Sequence, residues 1–247
     1  MIIKVSGLRE AEQIRALTTA GVDMLAFDFR PESNRFVQMI SSRAGIIPDY
    51  SEQRLRRYRG YENTHGNEGT GVQGDGNSMS PEGNLAPRTS RPAPQKVGVF
   101  ADDMPQNIIM RIYNYELDAV QLDGNESAVM IDNLRSSAVP DICSHLIIIK
   151  TLHIHEAADM NGWKAYEGHA DLLRFEMEGK HNVQQLLDSY DGTIPFLLSC
   201  GIDPDDVSFI RQLCHPLMAG IDLNEGFETA PAVKDMVALM TFQQNLF

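Results

Sequence analysis

The chain has 247 residues, 43% of them hydrophobic and 7% aromatic, with 21 Lys and Arg against 34 Asp and Glu, for a net charge of −13. That length suits one large α/β domain with a substantial buried core, and the acidic balance argues against nucleic acid or an anionic membrane as a partner. Three cysteines (Cys143, Cys200 and Cys214) at no metal-type spacing are expected as reduced thiols of a cytoplasmic protein without a secretory leader, and no apolar run is long enough to cross a bilayer.

Met1–Val5 reads as an apolar strand interrupted by Lys4 and closed by Ser6 and Gly7. Arg9–Ala20 carries Ala11, Ile14, Leu17 and Ala20 at helical spacing, with Gly21 where a helix C-terminal glycine belongs. Asp23–Phe29 is a second strand, followed by the polar loop RPESNR and a short helix or turn after Phe36. From about Tyr50 to Gln95 the composition changes, as in THGNEGTGVQGDGNSMSPEGNLAPRTSRPAP. So little apolar surface cannot offset the entropy of ordering, and the stretch is expected to be a flexible insertion. Arg54, Arg56, Arg57 and Arg59 read as its solvated flank. GTGVQGDG has no strand before it and no helix after it, so it is not a phosphate loop.

Regular structure resumes at Lys96 with the strand VGVF, a helix over Met104–Glu116, a strand over Ala119–Leu122 and a helix over Glu126–Ser137. A fifth strand is expected over His145–Thr151 and a helix around Ala157–Tyr166. The sixth strand, Asp171–Phe175, ends at Glu176, and Val183–Tyr190 follows as a helix. Ile194–Leu198 is a short buried strand, Ser199, Cys200 and Gly201 its loop, and Asp203 with Pro204 suits an N-cap and first helical position ahead of Val207, Ile210, Leu213 and Cys214. An eighth strand over Leu217–Leu223 ends in Asn224, Glu225 and Gly226, and a last helix begins near Pro231.

Eight alternations of strand and helix predict a single α/β domain over residues 1–247, a (β/α)8 TIM barrel with the 50–95 insertion between its second and third βα units. Small-residue loops ahead of helix N-termini after the last two strands are a common place for such a barrel to hold a phosphate. His153 and His155 sit at alternate positions as a metal pair would, but no third ligand lies at useful spacing, so no metal is expected.

The segments KVSGL, FDFRPESNRFV, VGVFAD, AVQLDGNE, PFLLSCGIDPDDV and AGIDLNEGFETAPAVKD occur in a fixed order along the chain. Together they resemble phosphoribosylanthranilate isomerases of tryptophan biosynthesis over nearly the whole chain outside the insertion. The resemblance implies a soluble enzyme, monomer or homodimer, that needs no cofactor and takes a phosphosugar–anthranilate substrate through an Amadori rearrangement. An acid protonates the ribose ring oxygen, the ring opens to a Schiff base, and a base removes the C2 proton.

It further implies that Ser6 occupies the position of the family's catalytic cysteine and Glu176 that of its aspartate acid. Arg35 falls on the arginine that grips the anthranilate carboxylate, Asp222 on the aspartate that faces the amine, and Gln121 and Asp123 on a Q-L-H-G motif. Gly179, Cys200, Gly201, Asn224, Glu225 and Gly226 fall in the three phosphate loops. A serine hydroxyl is a far weaker acid than a thiol, which titrates near pH 8.5, and Glu176 carries one methylene more than aspartate. Two rival readings remain: a non-catalytic descendant that binds a ligand or partner, and an isomerase of another substrate.

Overall fold

A computed structural model describes residues 1–37, 93–139 and 142–247. The flexible-insertion expectation, with its arginine cluster and GTGVQGDG, therefore lies outside the described residues apart from its last three positions. The short helix or turn expected after Phe36 lies outside them too, apart from Val37.

Eight parallel strands close into a barrel in chain order. They are β1 (Ile2–Val5), β2 (Met24–Asp28), β3 (Gln95–Phe100), β4 (Ala119–Leu122), β5 (Ile147–Ile154), β6 (Leu172–Met177), β7 (Phe196–Ser199) and β8 (Met218–Leu223). Outside them lie α1 (Ala11–Ala20), α2 (Pro105–Tyr115), α3 (Ala128–Ala138), α4 (Val183–Asp188), α5 (Val207–Gln212) and α6 (Met236–Leu246). The fold is the expected (β/α)8 barrel. Each longer helix is held by one apolar stripe: Ile14 and Leu17 in α1, Ile108, Ile112 and Tyr115 in α2, and Ile131, Leu134 and Ala138 in α3 are buried. Gly21, at φ 79°, ends α1 by returning its N–H to the Leu17 carbonyl, a conformation that costs a glycine nothing.

Side-chain alternation divides the interior by height. Met24, Ala26, Val97, Val99, Ala119, Ile149, Leu172 and Leu197 form one apolar cluster inside the barrel. Further along the same strands, toward their C-terminal ends, the alternating positions turn polar: Lys4 and Ser6, Asp28, Gln121, Thr151, Arg174, Ser199 and Asp222 are all buried. This layer is the floor of the face on which such barrels build their sites. The barrel closes where Ile2 pairs with Gly220 and Lys4 with Asp222. A Cβ on Gly220 would stand 2.1 Å from the Ile2 carbonyl oxygen, so the seam admits no side chain there.

Several expectations need correction. The strand β5 runs on to Ile154, three residues past the expected end, so His153 belongs to the strand. The helix expected around Ala157–Tyr166 is a 3-10 helix over Asp159–Ala165. The Asp159 carboxylate accepts the His155 and Glu156 N–H groups and winds the entry tightly, while Met160 and Trp163 are buried. Asp203 does not cap a helix at Pro204: Asp203–Asp206 is a turn in which Asp206 accepts the Asp203 N–H, and α5 starts at Val207 and stops before Leu213 and Cys214. Pro231 lies in the turn of a short hairpin (β9, Glu228–Ala230; β10, Val233–Lys234), not at the start of the last helix. Asp235 caps that helix instead, accepting the Ala238 N–H at 3.0 Å.

Candidate active site

At the C-terminal ends of the strands, Asp222 on β8 is the centre of a buried polar cluster. Its Oδ1 accepts the Ser6 hydroxyl at 2.5 Å, and its Oδ2 accepts Lys4 Nζ at 2.8 Å and Arg174 Nε at 2.6 Å. Lys4 Nζ also donates to Ser6 Oγ at 2.6 Å. Burial alone would raise the Asp222 carboxyl, but the Lys4 and Arg174 cations outweigh it and hold the group at about 2. For Lys4 the balance falls the other way: burial lowers its amine despite the facing carboxylate. Arg174 reaches on from β6 to Glu176 Oε1 at 3.0 Å and Ser199 Oγ at 2.9 Å, and its Nη1 is buried without a partner among the described residues.

Glu176, two residues beyond Arg174 on the same face of β6, has its other oxygen, Oε2, 3.1 Å from His153 Nδ1. The two residues are register partners across β5 and β6. With side chains 54% and 39% exposed, His153 and Glu176 stand at the water boundary of the cluster. A cavity of about 640 Å³ opens there, bordered by His153, His155, Arg174, Glu176, Asp222 and the loops after β6, β7 and β8.

Of the sequence candidates, Glu176, Asp222, Gly179, Gly201, Asn224, Glu225 and Gly226 border this cavity. Gly179 and Gly201 have φ of +78° and +66° and open space where a Cβ would stand, leaving their backbones bare to a ligand. The Glu225 side chain is 78% exposed and turned outward, toward Arg35 Nη1 at 3.9 Å, so it does not block the mouth. Cys200 is not part of the lining; its thiol is fully buried, and burial pushes it up to about 12. Ser6 is also outside the lining, one hydrogen bond behind Asp222.

Arg35, Gln121 and Asp123 lie elsewhere on the same face. Arg35 forks onto Glu228, with Nε at 2.9 Å and Nη2 at 2.6 Å, and hydrogen bonding to that carboxylate raises the guanidinium. Asp123 accepts Arg30 Nη1 at 2.8 Å, Gln121 Nε2 at 2.8 Å and the Thr151 hydroxyl at 2.5 Å. Gln121 Oε1 is buried without a partner among the described residues.

Sequence reasoning passed over Lys4, Arg30 and Arg174 as site residues and set His153 aside once a metal was rejected. A signal was present: Lys4 and Arg174 interrupt otherwise apolar strands two residues before Ser6 and Glu176, on the same face. A cation inside a barrel strand needs a buried partner, and here both share Asp222. Among the described residues no group of three metal-ligating side chains occurs, and Cys143, Cys200 and Cys214 are free.

Comparison with known proteins agrees with this architecture. Residues 76–245 match the sequence model of the family described as N-(5'phosphoribosyl)anthranilate (PRA) isomerase. The N-(5'-phosphoribosyl)anthranilate isomerase of Phocaeicola vulgatus is 32% identical over 253 aligned residues, covering 100% of this chain and 98% of its own. That of Parabacteroides distasonis is 30% identical, with 100% and 93% covered. A solved phosphoribosyl anthranilate isomerase in complex with reduced 1-(o-carboxyphenylamino)-1-deoxyribulose 5-phosphate superimposes with a TM-score of 0.65 at 19% identity, covering 100% of this chain and 98% of that one, which speaks for a shared barrel. With a third of its residues shared along its entire length, the chain belongs to the N-(5'-phosphoribosyl)anthranilate isomerase family.

Proposed function

We propose that the protein isomerises N-(5-phosphoribosyl)anthranilate to the corresponding 1-(2-carboxyphenylamino)-1-deoxyribulose 5-phosphate, as a cofactor-independent step of tryptophan biosynthesis. The observation that carries the reading is the cavity joining Glu176 and Asp222 to the bare backbones of Gly179 and Gly201. A carboxyl group at one wall, a polar pair at the other and backbone amides at the mouth are what a phosphosugar undergoing proton transfers requires.

The acid function lies at the Glu176 end of the cavity. Proton removal from C2 falls to the Ser6–Asp222 pair: Asp222 borders the cavity and takes the substrate proton, while the Ser6 hydroxyl donates to its Oδ1 from behind at 2.5 Å. A carboxylate held at about 2 is a weak final base, so turnover is slower than a thiolate at position 6 would allow. Arg35 keeps its Nη1 edge for the anthranilate carboxylate, since only Asn34 at 3.2 Å and Glu225 at 3.9 Å stand against it among the described residues. Gln121 and Asp123 contact the substrate's side of the site, with Asp123 holding Arg30 and Thr151 and Gln121 steadying Asp123, and Asn224 and Gly226 complete the phosphate mouth.

One observation favours a second reading, an isomerase of an unphosphorylated substrate. Among the described residues, Arg174 is the one Lys or Arg bordering the cavity, against the five carboxylates of Glu176, Glu178, Asp203, Asp222 and Glu225. A phosphate dianion brought among so many carboxylates loses electrostatic energy unless backbone amides compensate. Complementation of a tryptophan auxotroph lacking this isomerase separates the readings. Growth that disappears with Glu176→Ala is the expected result. A folded protein that supports no growth removes the phosphoribosylanthranilate reading.

A further inference from the structure

We propose that His153 delivers the proton that opens the ribose ring, with Glu176 as the carboxylate that orients it. The inference rests on the isomerase reading and changes which group at that end of the cavity touches the substrate.

Glu176 is poorly placed to act alone. Both of its oxygens face partners: Oε1 accepts from Arg174 Nη2 at 3.0 Å, and Oε2 lies 3.1 Å from His153 Nδ1. A carboxyl in this setting must abandon one contact to point a proton at a ligand. His153 is differently placed. Its Nδ1 is engaged by Glu176, and Nε2 has no hydrogen-bond partner among the described residues, on a side chain that borders the cavity. A carboxylate on one imidazole nitrogen fixes the ring's orientation and tautomer and frees the other nitrogen for proton transfer.

Placement around the barrel agrees. In a closed ring of eight strands β5 lies opposite β1, so His153 faces the Lys4–Ser6 side across the mouth. An acid at the ring oxygen and a base at C2 must approach the sugar from different directions, and this pair does. The charged groups sharing the cavity with His153 are Arg174, Glu176 and Glu178 from β6 and its loop, Asp203 from the loop after β7, and Asp222 and Glu225 from β8 and its loop, with His155 two residues along its own chain.

The step balances without a co-reactant. The proton on Nε2 passes to the ribose ring oxygen, and the C1–O bond breaks with its electron pair going to that oxygen. The anthranilate nitrogen lone pair becomes the C1=N bond. His153 is left neutral with its Nδ1–H on Glu176; the C2 proton passes to the base on the opposite side, which gives it up to water, and His153, exposed at the cavity edge, takes a proton back from water.

Steady-state kinetics of the wild type, His153→Gln, Glu176→Gln and His153→Ala with added imidazole test the assignment. Loss of a general acid costs about a hundredfold or more in rate, and loss of an orienting carboxylate about tenfold to a hundredfold. The expected result is a fall of about a hundredfold in kcat for His153→Gln with KM changed less than about threefold. Loss of the wild type's alkaline limb in the kcat–pH profile and partial rescue of His153→Ala by imidazole should accompany it. An active wild type whose kcat survives His153→Gln but not Glu176→Gln overturns the assignment and makes Glu176 the acid. A folded wild type with no turnover overturns the isomerase reading, and this assignment with it.

Discussion

Asp222 accepts hydrogen bonds from Ser6, Lys4 and Arg174 in full burial, and on the proposed reading this one carboxylate serves both stability and chemistry. Removing it would leave two buried cations facing each other, and breaking a buried charge pair costs about 3–5 kcal/mol. Asp222→Asn is therefore expected to lose at least that order of stability in urea unfolding and most of its turnover, whereas Asp222→Glu should recover part of the stability. In the proposed mechanism, the serine beside it in place of a thiol keeps turnover slow. Ser6→Cys places a thiol where the Ser6 hydroxyl now meets Lys4 Nζ, and a neighbouring cation lowers a thiol toward neutrality. The variant should raise kcat by about tenfold or more, and steady-state assay at neutral pH decides; an unchanged kcat would show that the step at position 6 is not limiting. Ordered motifs in the sequence pointed to Glu176 and Asp222, which border the cavity, and to Ser6, which lies behind Asp222. Their partners were less legible, because a hydrogen bond from residue 4 to residue 222 depends on closure of the barrel seam.

Strands were more legible than the helices and loops between them. A buried parallel strand is a short apolar run with turn residues at both ends, and each of the eight lies within a few residues of its expected place. The 3-10 helix at Asp159–Ala165 and the late start of the last helix were not legible, because side-chain hydrogen bonds from Asp159 and Asp235 decide them rather than apolar spacing. The apolar run alone ends β5 near Thr151, although pairing with β6 carries it on to Ile154 and brings His153 to Glu176. Gly220 at the seam gives a test at this scale. Gly220→Ala would press a methyl against the Ile2 carbonyl, and overpacking against backbone costs about 1–3 kcal/mol or more. Thermal unfolding should show a clear drop in Tm, whereas Gly162→Ala, with Leu152 atoms at 3.6 Å, should leave the barrel closed.

Across the whole molecule, the net charge of −13 coexists with a buried layer in which cations and carboxylates are matched. Acid should release that match. Asp222, held at about 2 in the fold against an ordinary value of 3.8, contributes stability that is complete above about pH 4 and lost as pH falls toward 2. That shift corresponds to about 2 kcal/mol. Asp28 moves in the same direction, since the hydrogen bonds from Arg30 outweigh its burial, and Glu228 does likewise beside Arg35 and Lys234. Unfolding free energy measured between pH 5 and 2 should therefore fall steeply below about pH 4, and a flat profile there would contradict the charge assignments.

Turnover of purified protein with N-(5-phosphoribosyl)anthranilate is the most direct measurement of the central claim. Conversion to the aminoketone by the wild type, with kcat/KM cut at least about tenfold in Glu176→Ala and at least about a hundredfold in Asp222→Ala, is the predicted result. Folded wild-type protein that leaves the substrate unchanged, or variants that convert it as fast as the wild type, would contradict the assignment of this cavity as an isomerase site.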